Sequence, residues 1–412
     1  MDVTRAVPRT ADGAITDRRN PGKILYSSYR RESMSFQLSD EQRAIKQAVH
    51  EFGENEIKPV AREHDEQKEY PSDLIEKAAE YDLLAPNIPE EYGGPGMGTL
   101  STVVVTEELW RADPGIGSAI GSRGFGTSML LGYGDDWMKE EWLPAVVAGE
   151  AATASAISEP AHGSDVAGME TRAERDGDEW VLNGSKTWIT NGTVADVAIV
   201  MAKTDPGAGH RGISAFLVPT DTEGFTAEKI DNKLGIRASD LGELFIEDVR
   251  IPEENLVGEE NRGFYQLMDF FAGGRVSVAS QAVGVAQAAL DAALDYAGER
   301  EQFDQPIAEF QAIQHKLAEM ATNVEAARSL TYRAASHVEH DRDDVAVRLA
   351  SMAKLFASEH AVDVADEAIQ VHGGAGFVTD HPVERYYRDA RITKIYEGTS
   401  EIQKGIIADR LL

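Results

Sequence analysis

Cysteine is absent from the 412 residues, which excludes disulfides, thiolate metal ligands and a cysteine nucleophile. Long apolar runs are missing as well: nothing approaches the roughly 18 residues that cross a membrane. The opening stretch MDVTRAVPRTADGAITDRRNPGK holds no apolar segment of the kind a secretory signal needs. A soluble, cytoplasmic protein is expected. The ten histidines show no HExxH-like spacing, so no metal site is expected. Basic residues are scarce, and the net charge is −31. Nucleic-acid binding needs clustered Lys and Arg to replace counterions, so no such partner is expected. The acidic excess runs along the whole chain, and arginine outnumbers lysine almost two to one. Such a halophilic-like surface suits a salt-rich cytosol, where screening removes self-repulsion.

What is present is a chain 42% hydrophobic and long enough for two or three domains. Residues 1–35 are polar and without periodicity and read as a disordered leader, with Met34 as an alternative natural start. Residues 36–150 read as an N-terminal helical domain. Ser39 and Gln42 form a capping box, and Ile45, Val49 and Phe52 share a helical face. Residues 151–262 change period: TWIT, DVAIVMAK, GISAFLVPT and ELFIEDVRIP are short β-prone runs. Asn183-Gly184 and Asn191-Gly192 read as hairpin or turn dipeptides. Residues 263–412 return to long helices with apolar residues on more than one face, a bundle pattern. The expected fold is α+β: helical domain, central β-barrel domain, C-terminal four-helix bundle.

Three segments carry candidate chemistry. AISEPAHGSDVAG (156–168) offers hydroxyls and open backbone N–H groups suited to a phosphate or polar heterocycle, or is an ordinary loop. KTWITNG (186–192) sets a Trp beside a Thr, fit for a planar cofactor or for the core. VHGGAGF (371–377) lets backbone approach a ligand closely or caps a helix. It is not a Rossmann fingerprint, since no strand precedes it.

Together with QVHGGAGFVTDHPVERYYRD, KLGIRASD, FIEDVRIPEENLVG, REQFDQPIAEFQ and YRDARITKIYEGTSEIQ, these segments resemble the acyl-CoA dehydrogenases over residues 36–412. The last stretch looks most like the short- to medium-chain members. The resemblance implies FAD, an acyl-CoA substrate, electron-transfer flavoprotein as acceptor and a homotetramer. It makes Glu397 the base that takes the α-proton while flavin N5 takes the β-hydride. A proton α to a thioester is weakly acidic, so the base must be well placed and desolvated, and burial raises its pKa. The resemblance places Ile157 and Ser158 at the isoalloxazine edge, Trp188 over one flavin face, Thr190 near N5, and Ser164 close to FAD and CoA. Arg300, Phe303, Gln311, Gln370 and Gly374 would hold the ADP half from a neighbouring subunit, and Gly373 is also placed on the cofactor. Thr399 and Glu401 fall on the cofactor side; Arg275, Tyr396 and Gly398 fall on the substrate side.

Departures from the family pattern are His162 in the first motif, Ala272 where relatives bond CoA with Asp, and Asp304 for Gly. Gly117 stands where glutaryl-CoA enzymes carry a carboxylate-binding Arg. Arg123, in GSRGFG, either faces the acyl pocket, favouring a polar or acidic acyl group, or is a surface or interdomain arginine. The competing readings are an acyl-CoA oxidase, which usually runs on past the point where this chain stops, and a non-catalytic acyl-CoA or flavin-binding paralogue, which would need no base. A flavin hydroxylase on the same fold would lack Glu397.

Overall fold

The structure is a computed structural model describing residues 38–340 and 344–412. The expected leader and Met34 lie outside the described residues. The elements below all belong to the unit Ser39–Leu412.

Seven helices open it: α1 (Asp40–Phe52), α2 (Ala61–Gln67), α3 (Ser72–Glu80), α4 (Thr99–Ala112), α5 (Pro114–Gly121), α6 (Thr127–Tyr133) and α7 (Asp136–Val147). The capping box is present: Gln42 N donates to Ser39 Oγ at 3.1 Å and Ser39 N donates to Gln42 Oε1 at 3.0 Å. Two donors that α1 would leave unpaired are thereby satisfied. Ser39→Ala is expected to lower stability by about 1 kcal/mol, read as a reduced urea midpoint. Val49 and Phe52 of α1 join Leu74, Leu109 and Ile116 in one core. Arg123 belongs to this helical part: it donates to the Tyr70 hydroxyl at 3.4 Å and to the Gly149 carbonyl at 3.1 Å. Its guanidinium is committed to bridging loops of the helical part.

Seven strands follow: β1 (Thr153–Ala156), β2 (Arg172–Asp176), β3 (Glu179–Thr190), β4 (Val197–Lys203), β5 (Ile213–Pro219), β6 (Phe225–Lys229) and β7 (Leu241–Pro252). They form one curled sheet in the order β1-β4-β2-β3-β7-β6, with β5 also paired to β4. The expected order of helical domain, curled β domain and helical domain is what the structure has. The expected turn at Asn183-Gly184 is corrected: both residues lie inside β3, at a register shift against β7. Asn183 exchanges hydrogen bonds with Asp248 across the bulge, 3.0 and 2.9 Å. A bulge bends the strand where the dipeptide suggests a turn, because Asn-Gly relieves the same backbone constraint in either setting. Asn191-Gly192 does end β3 in a turn, with Asn191 at φ 61°.

The C-terminal helical domain holds α8 (Gly263–Glu299), a small hairpin of β8 (Glu301–Gln302) and β9 (Gln305–Pro306), α9 (Gln311–His340), α10 (Asp344–His372), α11 (Val383–Ala390) and α12 (Ser400–Asp409). The 37 residues of α8 make a rod of about 55 Å. Its buried face is rich in Ala and Val, letting α4, α9 and α10 come close along its length. No described helix is long and apolar enough to cross a membrane.

Candidate active site

Glu397 lies in the turn between the short helix Arg391–Lys394 and α12. Its backbone is left-handed, φ 52°, and Gly398 follows at φ 92°. A left-handed non-glycine residue costs of order 1–3 kcal/mol and persists only where its surroundings hold it. Two buried side chains do so. Gln403 Nε2 donates to the carbonyls of Glu397 and Gly398 at 3.1 and 3.0 Å. Lys354 Nζ, from α10, donates to the Gly398 carbonyl at 2.7 Å. Thr399 caps α12 through Ile402 N, which fixes the other side of the turn.

The side chain runs toward α8. A Cβ built on Gly274 would stand 2.6 Å from Glu397 Oε2, so glycine here leaves space the carboxylate occupies. Part of the residue is accessible, yet Oε2 is shielded from solvent and has no hydrogen-bond partner. Burial raises the carboxyl pKa to about 7, against the pull of the Arg275 and Lys354 charges. Arg275 is itself buried, with an unpartnered Nε, and burial depresses its pKa while Glu397 opposes. A carboxyl group that titrates near neutrality and has one oxygen shielded and unused is equipped to take a proton. The Tyr396 hydroxyl turns away and donates to Gln281 Oε1.

A second constellation sits on the sheet. Thr187 N donates to the Ser158 carbonyl at 2.9 Å, joining the 156–168 loop to β3. Beneath it, Lys186 Nζ donates to Glu159 Oε1 at 2.8 Å and to the Ile157 carbonyl at 3.2 Å. Burial would raise the Glu159 pKa, but the Lys186 charge and hydrogen bonds from Lys186, Thr171 and Glu170 bring it to about 2. This buried pair locks Ile157 and Ser158 in place. The ladder is interrupted between Lys186 and Ile189, and there Trp188 adopts φ 60° with 63% of its surface exposed. The core reading of Trp188 is thereby excluded. A strained backbone that holds an indole outward, one residue from the Ser158 contact and two from Thr190, fits a flat polar heterocycle. Ser164 is exposed on the loop, and His162 packs near Gly168 and 3.9 Å from Asp165.

A third constellation gathers at the far end of α8. The Tyr296 ring stacks on His372 at 4.2 Å, bringing the ends of α8 and α10 together. Arg300 and Phe303 follow the first; Gln370, Gly373 and Gly374 flank the second. Phe303 packs on Phe310, next to Gln311. All six residues are exposed, Phe303 to 87%. Phe303 and Asp304 form a hairpin turn with both φ positive, 54° and 63°. Glu401 is exposed on the first turn of α12.

The structure therefore joins Arg275, Glu397 and Gly398 at one place, Ile157, Ser158, Trp188 and Thr190 at a second, and the six residues of the third at another. Sequence reasoning missed Gly274, Lys354, Gln403, Glu159 and Lys186. Lys354 left a signal: it falls on the stripe Ala350, Ala353, Ala357, Ser358 and Ala361, where a solvated lysine does not belong.

Three domain families match the chain in order: acyl-CoA dehydrogenase N-terminal domain at residues 39–150, middle domain at 154–249 and C-terminal domain at 261–412. The short-chain specific acyl-CoA dehydrogenase of rat mitochondria (Rattus norvegicus) is 43% identical over 380 residues, 92% of each chain. Butyryl-CoA dehydrogenase from Megasphaera elsdenii superposes with a TM-score of 0.88 at 39% identity, covering 92% of this chain and 100% of that one. A chain from the structure of the electron transferring flavoprotein of Acidaminococcus fermentans gives a TM-score of 0.89 at 40% identity, covering 92% and 100%. FAD is the cofactor of this family. The chain belongs to the acyl-CoA dehydrogenase family, and is an oxidoreductase acting on acyl-CoA.

Proposed function

We propose that the protein oxidises a short saturated acyl-CoA to its trans-2-enoyl thioester, as a homotetramer that passes its electrons to an electron-transfer flavoprotein. The observation that carries the reading is Glu397, a carboxyl group with one oxygen shielded and unpartnered, in a turn clamped from two helices. The short chain follows the names of the rat and Megasphaera relatives, and the acceptor follows that of the Acidaminococcus one.

Glu397 removes the proton from the α-carbon. The electrons that the α-proton leaves behind form the Cα–Cβ double bond as the β-hydride departs; FAD, when bound, would supply the acceptor for that hydride. The Glu397 backbone N–H offers a donor to the thioester oxygen as enolate charge develops. Arg275 contributes a buried positive charge beside the base. Ile157, Ser158, Trp188 and Thr190 fit the isoalloxazine ring, the indole supplying one face and the Thr190 hydroxyl a polar contact. Ser164, Thr399 and Glu401 are assigned to the cofactor's polar portions, and Tyr396 to the substrate side.

The third constellation supports a site shared between subunits. Arg275 lies within α8 and Arg300 caps its C-terminal end, about 37 Å further along the axis. That exceeds what one dinucleotide bridges while its ring stays at Glu397. Arg300, Phe303, Gln311, Gln370, Gly373 and Gly374 are thus assigned to the ADP half of a neighbouring subunit's FAD, with Arg300 forked onto the pyrophosphate.

The test is anaerobic titration of the FAD-loaded protein with butyryl-, octanoyl- and palmitoyl-CoA, followed by flavin absorbance. Butyryl-CoA is expected to bleach fastest, with colour restored by electron-transfer flavoprotein. Preference for palmitoyl-CoA would overturn the short-chain assignment, and absence of bleaching by all three would overturn the dehydrogenation itself.

A further inference from the structure

Lys354 is fully buried on α10, at 0% exposure. Removing an ammonium group from water costs several kcal/mol, so its surroundings must make use of the charge. One donor goes to the Gly398 carbonyl at 2.7 Å. That carbonyl belongs to the second of two successive left-handed residues, the first being Glu397. Gln403, also at 0% exposure, holds the same carbonyl from α12. The base-bearing turn is therefore gripped from α10 and α12 at once, while Gly274 of α8 leaves room for its carboxylate.

We propose that Lys354 is a positioning residue for the base: its ammonium clamps the Gly398 carbonyl and places a second buried cation, beside Arg275, toward the Glu397 carboxylate. This rests on the reading of Glu397 as the base. A neutral amide would suffice for the clamp alone; a cation also favours the ionised base that proton abstraction needs. The charged groups facing Lys354 are Glu397 from the turn, Glu359 from α10 itself, Glu401 from α12 and Arg275 from α8. Glu359 is already engaged by Ser400 Oγ at 2.6 Å and by Lys394. Arg410 faces Arg275 from the end of α12, and the Tyr396 hydroxyl, held by Gln281, feels the Glu397 charge. Burial lowers the Lys354 pKa to about 8, so it remains largely charged where Glu397, at about 7, ionises.

The sign follows from the charge. Removing the cation raises the Glu397 pKa, so the rise of activity with pH moves to higher pH. The experiment compares wild type, Lys354→Met, Lys354→Gln, Lys354→Arg and Glu397→Gln as FAD-loaded enzymes. Two readouts are taken against pH: the single-turnover bleaching rate with butyryl-CoA, and the infrared carboxylic C=O band that Glu397→Gln lacks, recorded without substrate. Lys354→Met is expected to shift both midpoints up by roughly one pH unit and to lower the plateau rate about tenfold as the turn loosens. Lys354→Gln keeps a donor and loses the charge, so its midpoints shift with a smaller loss of plateau. Lys354→Arg keeps the wild-type midpoints. Should Lys354→Met not fold, Lys354→Gln is read by the same midpoints. Unshifted midpoints in a folded, uncharged variant overturn the proposal, even if the melting temperature falls. A Glu397→Gln enzyme as active as wild type would instead remove the base assignment on which the proposal rests.

Discussion

The Glu397→Gln variant is expected to be more stable than the parent and almost unable to reduce its flavin. The carboxyl group titrates at about 7 in the fold, against an ordinary value of 4.5. Its pKa is raised by folding, so the folded state binds the extra proton between those values. The group imposes no penalty below the unfolded pKa, a growing one as pH rises from there, and the full one above about 7. That full penalty is roughly 3 kcal/mol. Glutamine has nearly the same shape and no charge, so above neutrality the variant is expected to recover much of that amount, read from urea midpoints. Below the unfolded pKa the two proteins should be equally stable. Activity moves the other way. Without a base, single-turnover bleaching by butyryl-CoA is expected to fall about 10³- to 10⁴-fold. In the parent, the rate should rise with pH through about 7 and then level off. A stabilised, inactive variant is the mark of a group strained for function; a destabilised one would mean the carboxylate serves the fold.

Gly274→Ala is expected to give a stable protein that is poorly active. The new Cβ would stand 2.6 Å from Glu397 Oε2, closer than real contacts allow, and 3.2 Å from its Cδ, tighter than most. What must yield is the end of a flexible side chain, so little folding energy is lost. The group that yields is the proposed base. A displacement of about an ångström is expected to cost about 10²-fold in bleaching rate, with flavin content unchanged. A fall in stability with normal activity would show that the helix, and not the carboxylate, had moved. The pair of variants separates chemistry from position: one removes the carboxylate, the other only shifts it.

The order of helical, β and helical segments is legible because the hydrophobic period changes twice along the chain. Glu397 is not legible from its own neighbourhood, since a glutamate in a chain this acidic is more often solvated; only the ordered set of motifs raises it. Its supports are harder to find. Gly274, Lys354 and Gln403 come from three different helices, and nothing local in any of them announces a partner in the turn after Lys394. Trp188 shows the same limit in a strand: alternation predicts a side chain's face only while the ladder is regular, and the interruption between Lys186 and Ile189 changes it. Lys186 would be read as solvent-facing, yet Glu159 makes its burial tolerable. Asn183-Gly184 reads as a turn because the dipeptide eases tight backbone, which a bulge needs as well.

The most direct measurement separates proton removal from hydride transfer. A butyryl-CoA analogue with sulfur in place of the β-carbon keeps an acidic α-hydrogen and has no hydride to give. In D₂O at neutral pH, the FAD-loaded wild-type enzyme should exchange that α-hydrogen for deuterium, as followed by mass spectrometry, and Glu397→Gln should not. Exchange by Glu397→Gln at the wild-type rate would mean that another group removes the proton.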